Sequence, residues 1–161
     1  MHIDDDHMFH GAALTQLAED PEFTAINRFE NTSARGAFRI NTSTGVYLKH
    51  ASKPIRGEYV FTFNEKNLAE LAALKPQCTR LFIVMVCVMD RQICCITNGD
   101  LEAHIARRKA DAGKPEDQYQ LIVTLPVGKS FRVYVNAAGV KRTSLHQQIV
   151  SRNKYPHGIF E

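Results

Sequence analysis

A chain of 161 residues with 44% hydrophobic and 23% charged residues has the size and balance of one globular domain, long enough to bury about 68–70% of the surface its unfolded form exposes. Disorder, a collagen repeat and a disulfide scaffold are excluded by composition, and the longest apolar run, Leu81 to Met89, spans nine residues against the roughly 20 needed to cross a bilayer. The formal net charge of +3 is uneven: residues 101–161 hold 10 Lys/Arg against 5 Asp/Glu, a basic part suited to phosphates or other anions.

Asp4, Asp5 and Asp6 precede Met8, Phe9, Ala12, Ala13 and Leu17, a helical spacing with carboxylates at the positive end of the dipole. A first helix is expected over 7–19, and the acidic opening argues against a secretory signal, which needs a basic region and an apolar stretch. Pro21 redirects the chain. Strands are then expected over 22–29, 37–41, 45–50 and 58–63, separated by turn-rich text. Phe38, Ile40, Val46 and Leu48 recur at every second residue in the middle pair. A second helix begins near Thr62 or Asn64, rival caps, and carries Leu68, Leu71, Ala72 and Leu74 on one face.

The stretch 80–89 is the most apolar in the chain and rich in Val, Ile and Phe, which predicts a central strand covered on both faces. Residues 91–97 return beside it. Asn98 starts a third helix with Leu101, His104, Ile105 and Arg108 along one side. A polar stretch over 110–118 reads as an exposed loop, and 119–125 with 130–136 as a hairpin. After Gly139 the text suits either a short helix through Leu145 and Ile149 or extended chain through Val140 and Val150. The whole is one α+β domain over 1–161: a mainly antiparallel mixed sheet flanked by about three helices, in the order α-β-β-β-β-α-β-β-α-β-β.

Four cysteines, Cys78, Cys87, Cys94 and Cys95, show no framework spacing and suit a reducing cytoplasm. Adjacent Cys94 and Cys95 would point to opposite faces of a strand, and no Cys-x-x-Cys supplies a zinc corner. Glycine-rich phosphate loops and a Gly-x-Ser-x-Gly elbow are absent, so neither a nucleotide cofactor nor a covalent hydrolase mechanism is expected. His2, Asp4, Asp5, Asp6, His7 and His10 form a donor-rich opening. Three-residue helical spacing could make it a divalent-ion site, but nothing fixes the ligands before the helix begins, and an exposed acidic helix start is the favoured reading; no metal is assigned.

Lys49, followed by His50, Lys53 and Arg56 beside Ser52, can form an anion-binding cluster, since phosphate contact needs only positive charge and donors; a solvated strand end is the alternative. Arg107, Arg108 and Lys109 complement the dipole at the end of the third helix. Lys141, Arg142, Arg152 and Lys154 add C-terminal charge, with Tyr155 as a stacking ring. Phosphate contact is thereby assigned to Lys49, Lys53, Arg56, Arg107, Lys109, Arg152 and Lys154, and no catalytic residue is assigned. Tyr47, His50, Glu58 and Tyr59 are polar residues that only the fold could bring together.

The order helix, three strands with a lysine on the third, helix and strand over residues 7–89 resembles the restriction-endonuclease-like PD-(D/E)xK core. In that resemblance Asn41 stands where an acidic residue should end one strand, and Tyr47-Leu48-Lys49 where Glu-x-Lys or Asp-x-Lys should be; only Lys49 matches. The family's carboxylates hold magnesium that activates water, so the resemblance implies a relative that does not cleave. The expectation is a small nucleic-acid-associated protein contacting DNA or RNA, with no cofactor and no membrane partner. The alternative is an interaction module or inhibitor, or a homodimer, docking through a sheet edge or the residues around Tyr155 and Phe160.

Overall fold

Asp4 caps the first helix, α1 (Asp5–Glu19): its side chain accepts the His7 amide while the His7 ring accepts the Asp4 amide. This reciprocal cap starts the helix two residues ahead of the point suggested by apolar spacing. The computed structural model describes residues 1–140 and 142–161, so Lys141 lies outside the described residues. After α1 come β1 (Ile26–Arg28), β2 (Ala37–Ile40), β3 (Thr44–Ala51), β4 (Glu58–Asn64), α2 (Glu65–Leu74), β5 (Arg80–Cys87), β6 (Gln92–Thr97) and α3 (Asn98–Ala112). The chain closes with β7 (Gln118–Thr124), β8 (Phe131–Asn136) and β9 (Ser144–Val150). The α+β order is the expected one, and β9 resolves the ambiguous text after Gly139 as a strand.

Two boundaries differ for local reasons. Only three residues of the expected first strand pair, because Asn41 holds the chain ahead of them: its Oδ1 accepts the Thr24 and Ala25 amides and its Nδ2 donates to the Glu22 carbonyl. Helix α3 is capped by Thr97 with Asp100 rather than by Asn98, and runs on until Gly113 ends it at a φ of 74°, a conformation that suits glycine. The expected polar loop is shortened accordingly.

The strands part into two sheets, β1-β2-β3-β5-β6 and β4-β7-β8-β9. Among the described residues, only β3 and β5 run parallel; the other paired strands are antiparallel. The crossover that parallel pairing demands is supplied by β4 and α2. Strand β5 is buried along its length beyond Arg80, though it lies beside the edge strand β6. Its alternate residues Leu81, Ile83, Met85 and Cys87 face the second sheet, meeting Phe61 and Phe63 of β4 and Val133 of β8. Leu71 and Leu74 of α2 and Leu101 of α3 belong to the same core. Phe82, Val84 and Val86 face the other way, against Ala13 and Leu17 of α1 and Tyr155 and Ile159 of the C-terminal segment.

Cys94 belongs to the first core and Cys95 to the second, as strand alternation requires. Burial pushes the Cys87 and Cys95 thiols up to about 12, which leaves them unreactive packing groups. Among the described residues, no helix is long and apolar enough to cross a membrane.

Candidate functional site at the open end of β3

Strands β2 and β3 pair from Ile40–Thr44 to Ala37–Tyr47. The last link is the Leu48 amide donating to the Gly36 carbonyl at 2.8 Å; beyond it the chain before β2 leaves the sheet. A cleft of about 360 Å³ opens there, bordered by Asp6 and His10 of α1, Arg35, Lys49 and His50 of β3, and Asn67 and Glu70 of α2. Consecutive residues on a strand point to opposite faces. Lys49 and His50 nevertheless border one cleft, because β2 no longer covers this edge.

On the α2 side, Lys49 Nζ donates to the Thr62 carbonyl and, at 3.1 Å, to Asn67 Oδ1; it also lies 4.6 Å from the centre of the Phe63 ring. Burial brings this ammonium down to about 8, with the nearby Glu70 acting in the opposite direction. The Tyr47 hydroxyl donates to Glu70 Oε1 at 2.9 Å. Burial, then that hydrogen bond, raises the phenol well above its usual range, so Tyr47 is a neutral donor.

On the α1 side, His50 Nδ1 lies 3.2 Å from His10 Nε2 and 3.7 Å from Asp6 Oδ1, and His10 Nε2 lies 3.9 Å from the same oxygen. Arg35 clamps the outer rim, with Nη1 at 3.3 Å from Asp6 Oδ2 and Nη2 at 2.8 Å from Asp4 Oδ2. The Arg35 hydrogen bond, seconded by the His7 amide, holds the Asp4 carboxyl at about 2. Burial lowers His10 below the usual imidazole range although Asp6 favours its charged form. Asp6, His10 and His50 each offer one ligand atom, all within 4.8 Å of one another, a grouping that could hold a metal ion.

Of the residues assigned to phosphate contact, only Lys49 borders this cleft, and its ammonium is turned into the fold. Lys53 and Arg56 are exposed in the turn after β3; Arg56 borders a separate hollow with Glu58, Tyr134 and Arg142. Arg107 and Lys109 are exposed on α3, and Lys109 Nζ lies 5.8 Å from the centre of the Tyr119 ring. Arg152 is engaged by the β7–β8 turn, donating to the Lys129 carbonyl at 2.6 Å and the Pro126 carbonyl at 2.8 Å. Lys154 is half-buried, its stem packed on Gly158. The seven cations therefore come from several parts of the surface rather than one patch.

Asn41 sits at the β2–β3 turn, while Lys49 lies five residues beyond Thr44, roughly 17 Å along the strand. The two do not share a site. Glu58 accepts from the Tyr134 hydroxyl at 2.5 Å, and the Tyr59 hydroxyl pairs with Asp90, so only Tyr47 and His50 of that polar set meet in the cleft. What sequence reasoning missed is the joining of His10 to His50. Both were visible as donors, but they are 40 residues apart, and no spacing rule connects a helix turn to a strand end. No family model, curated protein or solved structure matches the chain.

Proposed function

We propose that this chain is a nucleic-acid-associated protein that contacts phosphates at the cleft beside β3. The observation that carries the reading is the convergence of Arg35, His10 and His50 on one opening, from three separate parts of the chain, with Lys49 on its border. Backbone contact needs positive charge and N–H donors and makes no demand for base recognition. Arg35 is exposed, and its planar guanidinium can exchange a carboxylate for a phosphate in a two-point contact. Lys53, on the turn leaving β3, extends the same reading. Arg107, Lys109, Arg152 and Lys154 are not needed for it.

The nuclease-like part of the proposal is supported by the parallel pairing of β3 with β5, although a fourth strand, β4 of the second sheet, stands between β3 and α2. With Tyr47 where a carboxylate would stand, β3 offers no Glu-x-Lys pair, so we propose binding without that family's cleavage chemistry. A cytoplasmic setting is supported by four free thiols, three of them buried.

Fluorescence anisotropy with short labelled duplex and single-stranded DNA and RNA tests the proposal. Affinity is expected at low salt, falling steeply between about 50 and 200 mM, and weakened by Arg35→Ala. Absence of affinity at low salt overturns it. A stoichiometric protein partner that survives nuclease treatment would then favour the interaction-module reading.

A further inference from the structure

We infer that Asp6, His10 and His50 form a binding site for one divalent transition ion of the zinc class, with a coordination position left open to the cleft. This inference does not rest on the nucleic-acid reading: it shares the His10 and His50 imidazoles with it, but it concerns a different ligand and is tested free of nucleic acid.

Geometry is the first ground. The three donor atoms are separated by 3.2, 3.7 and 3.9 Å. Ligands on a tetrahedral zinc with bonds of about 2.0–2.1 Å lie about 3.3 Å apart. Shifts of about half an ångström or less in these separations would therefore suit one ion. Two imidazoles and a carboxylate suit zinc, iron, nickel or copper, whereas magnesium favours an all-oxygen, octahedral shell.

The second ground is how the ligands are held. Asp6 and His10 are four residues apart and share one face of α1, and α1 is anchored to the sheet through Ala13 and Leu17, both fully buried. His50 comes from β3, which is paired with β5 along its length. The oxygen of Asp6 that does not face the histidines pairs with Arg35, the kind of outer contact that orients a ligating carboxylate. His10 is backed by Gly36, where an added Cβ would come within 3.3 Å of its ring.

Proton bookkeeping is the third. His50 Nδ1 and His10 Nε2 face each other, so without an ion one must carry the proton that the other accepts. An ion takes the place of that proton and uses both lone pairs. The side chains are 12%, 21% and 34% exposed for His10, His50 and Asp6, which leaves an entry path and room for a water at the fourth position.

Isothermal titration of the untagged full chain, stripped with chelator and free of nucleic acid, tests this with zinc and magnesium chlorides. One zinc per chain is expected at micromolar or tighter affinity, with no magnesium uptake. His50→Ala and His50→Gln should each weaken zinc by more than the roughly 10–100-fold that loss of an outer-shell partner costs, and Arg35→Ala should fall within that range. Circular dichroism should show both His50 variants folded, and cobalt substitution should give visible bands in the native chain that the variants lack. Absence of zinc uptake overturns the inference. So does retention of full affinity in both His50 variants with loss in a His2→Ala/His7→Ala double variant, which would place the ion on the N-terminal segment alone.

Discussion

Gly36 lies against the imidazole of His10: a Cβ built on it would stand 3.3 Å from His10 Cε1 and 2.7 Å from the Leu48 carbonyl oxygen. The second contact is with the backbone of Leu48, the residue whose amide donates to the Gly36 carbonyl just ahead of β2. Gly36→Ala must therefore spread the strands at the mouth of the cleft. A loss of about 1–3 kcal/mol is expected, read as a shift in urea midpoint, together with weaker zinc uptake as His10 is displaced. An unchanged midpoint would mean that the strand end yields freely.

The hydroxyl of Tyr155 donates to the Ala13 carbonyl at 2.5 Å, buried beneath the outer layer. Tyr155→Phe removes that bond and leaves the carbonyl within its helix ladder. The expected cost is about 1 kcal/mol, measured by denaturant unfolding, with the far-ultraviolet spectrum retained. A neutral result would show the ring, not the hydroxyl, to be what fastens the C-terminal segment.

Arg152 and Arg35 should part company in a binding assay. Arg152 is committed to two carbonyls and lies 5.5 Å from the centre of the Phe131 ring, so Arg152→Ala is expected to cost about 1–3 kcal/mol of stability with nucleic-acid affinity unaltered at a temperature where both proteins are folded. Arg35→Ala should do the reverse. Equal effects on affinity would place the contact surface away from the cleft.

Lys49 links stability to alkaline pH. Its ammonium falls from 10.5 to about 8 on folding, so between those values the unfolded chain retains a proton that the folded one releases. By linkage this group's contribution grows as pH rises through the window and is lost as pH falls through about 8. Lys49→Met removes the term. The stability of the native chain relative to the variant should increase between about pH 7 and pH 10, as followed by urea unfolding; parallel profiles would show that the ammonium is not buried in solution.

His104 works in the acid range. It is fully buried on α3, with Nε2 bonded to Gln148 Oε1 at 2.9 Å and Nδ1 without a partner among the described residues. Burial lowers its pKa from 6.5, so it folds as the neutral ring. Stability from this group is present above about 6.5 and is lost as pH falls through its depressed folded value. His104→Gln should flatten the fall in thermal midpoint below pH 6.5; an equal fall in both proteins would assign the acid sensitivity elsewhere.

Much of the secondary structure was legible because periodicity and caps are local. The alternation through Phe38, Ile40, Val46 and Leu48, the apolar run of β5 and the helical face of Leu71 and Leu74 each declare themselves within a few residues. The short β1 was not legible, since the contacts that delay its start come from Asn41, at least 16 residues further on. Nor was the division into two sheets, which depends on which strand each hairpin finds. At the site, Lys49 could be picked out by its place on the strand. Its inward turn toward Thr62 and Asn67, and the meeting of His50 with α1, are products of tertiary packing that no window of sequence contains.

Strand β5 has hydrophobic cores on both of its sides. A strand shared in this way couples the two layers mechanically: loosening α1 exposes the back of the wall against which the second sheet rests. The two halves should therefore melt as a single cooperative unit, and amide exchange at Ile83 to Met85 should report the global opening of the molecule.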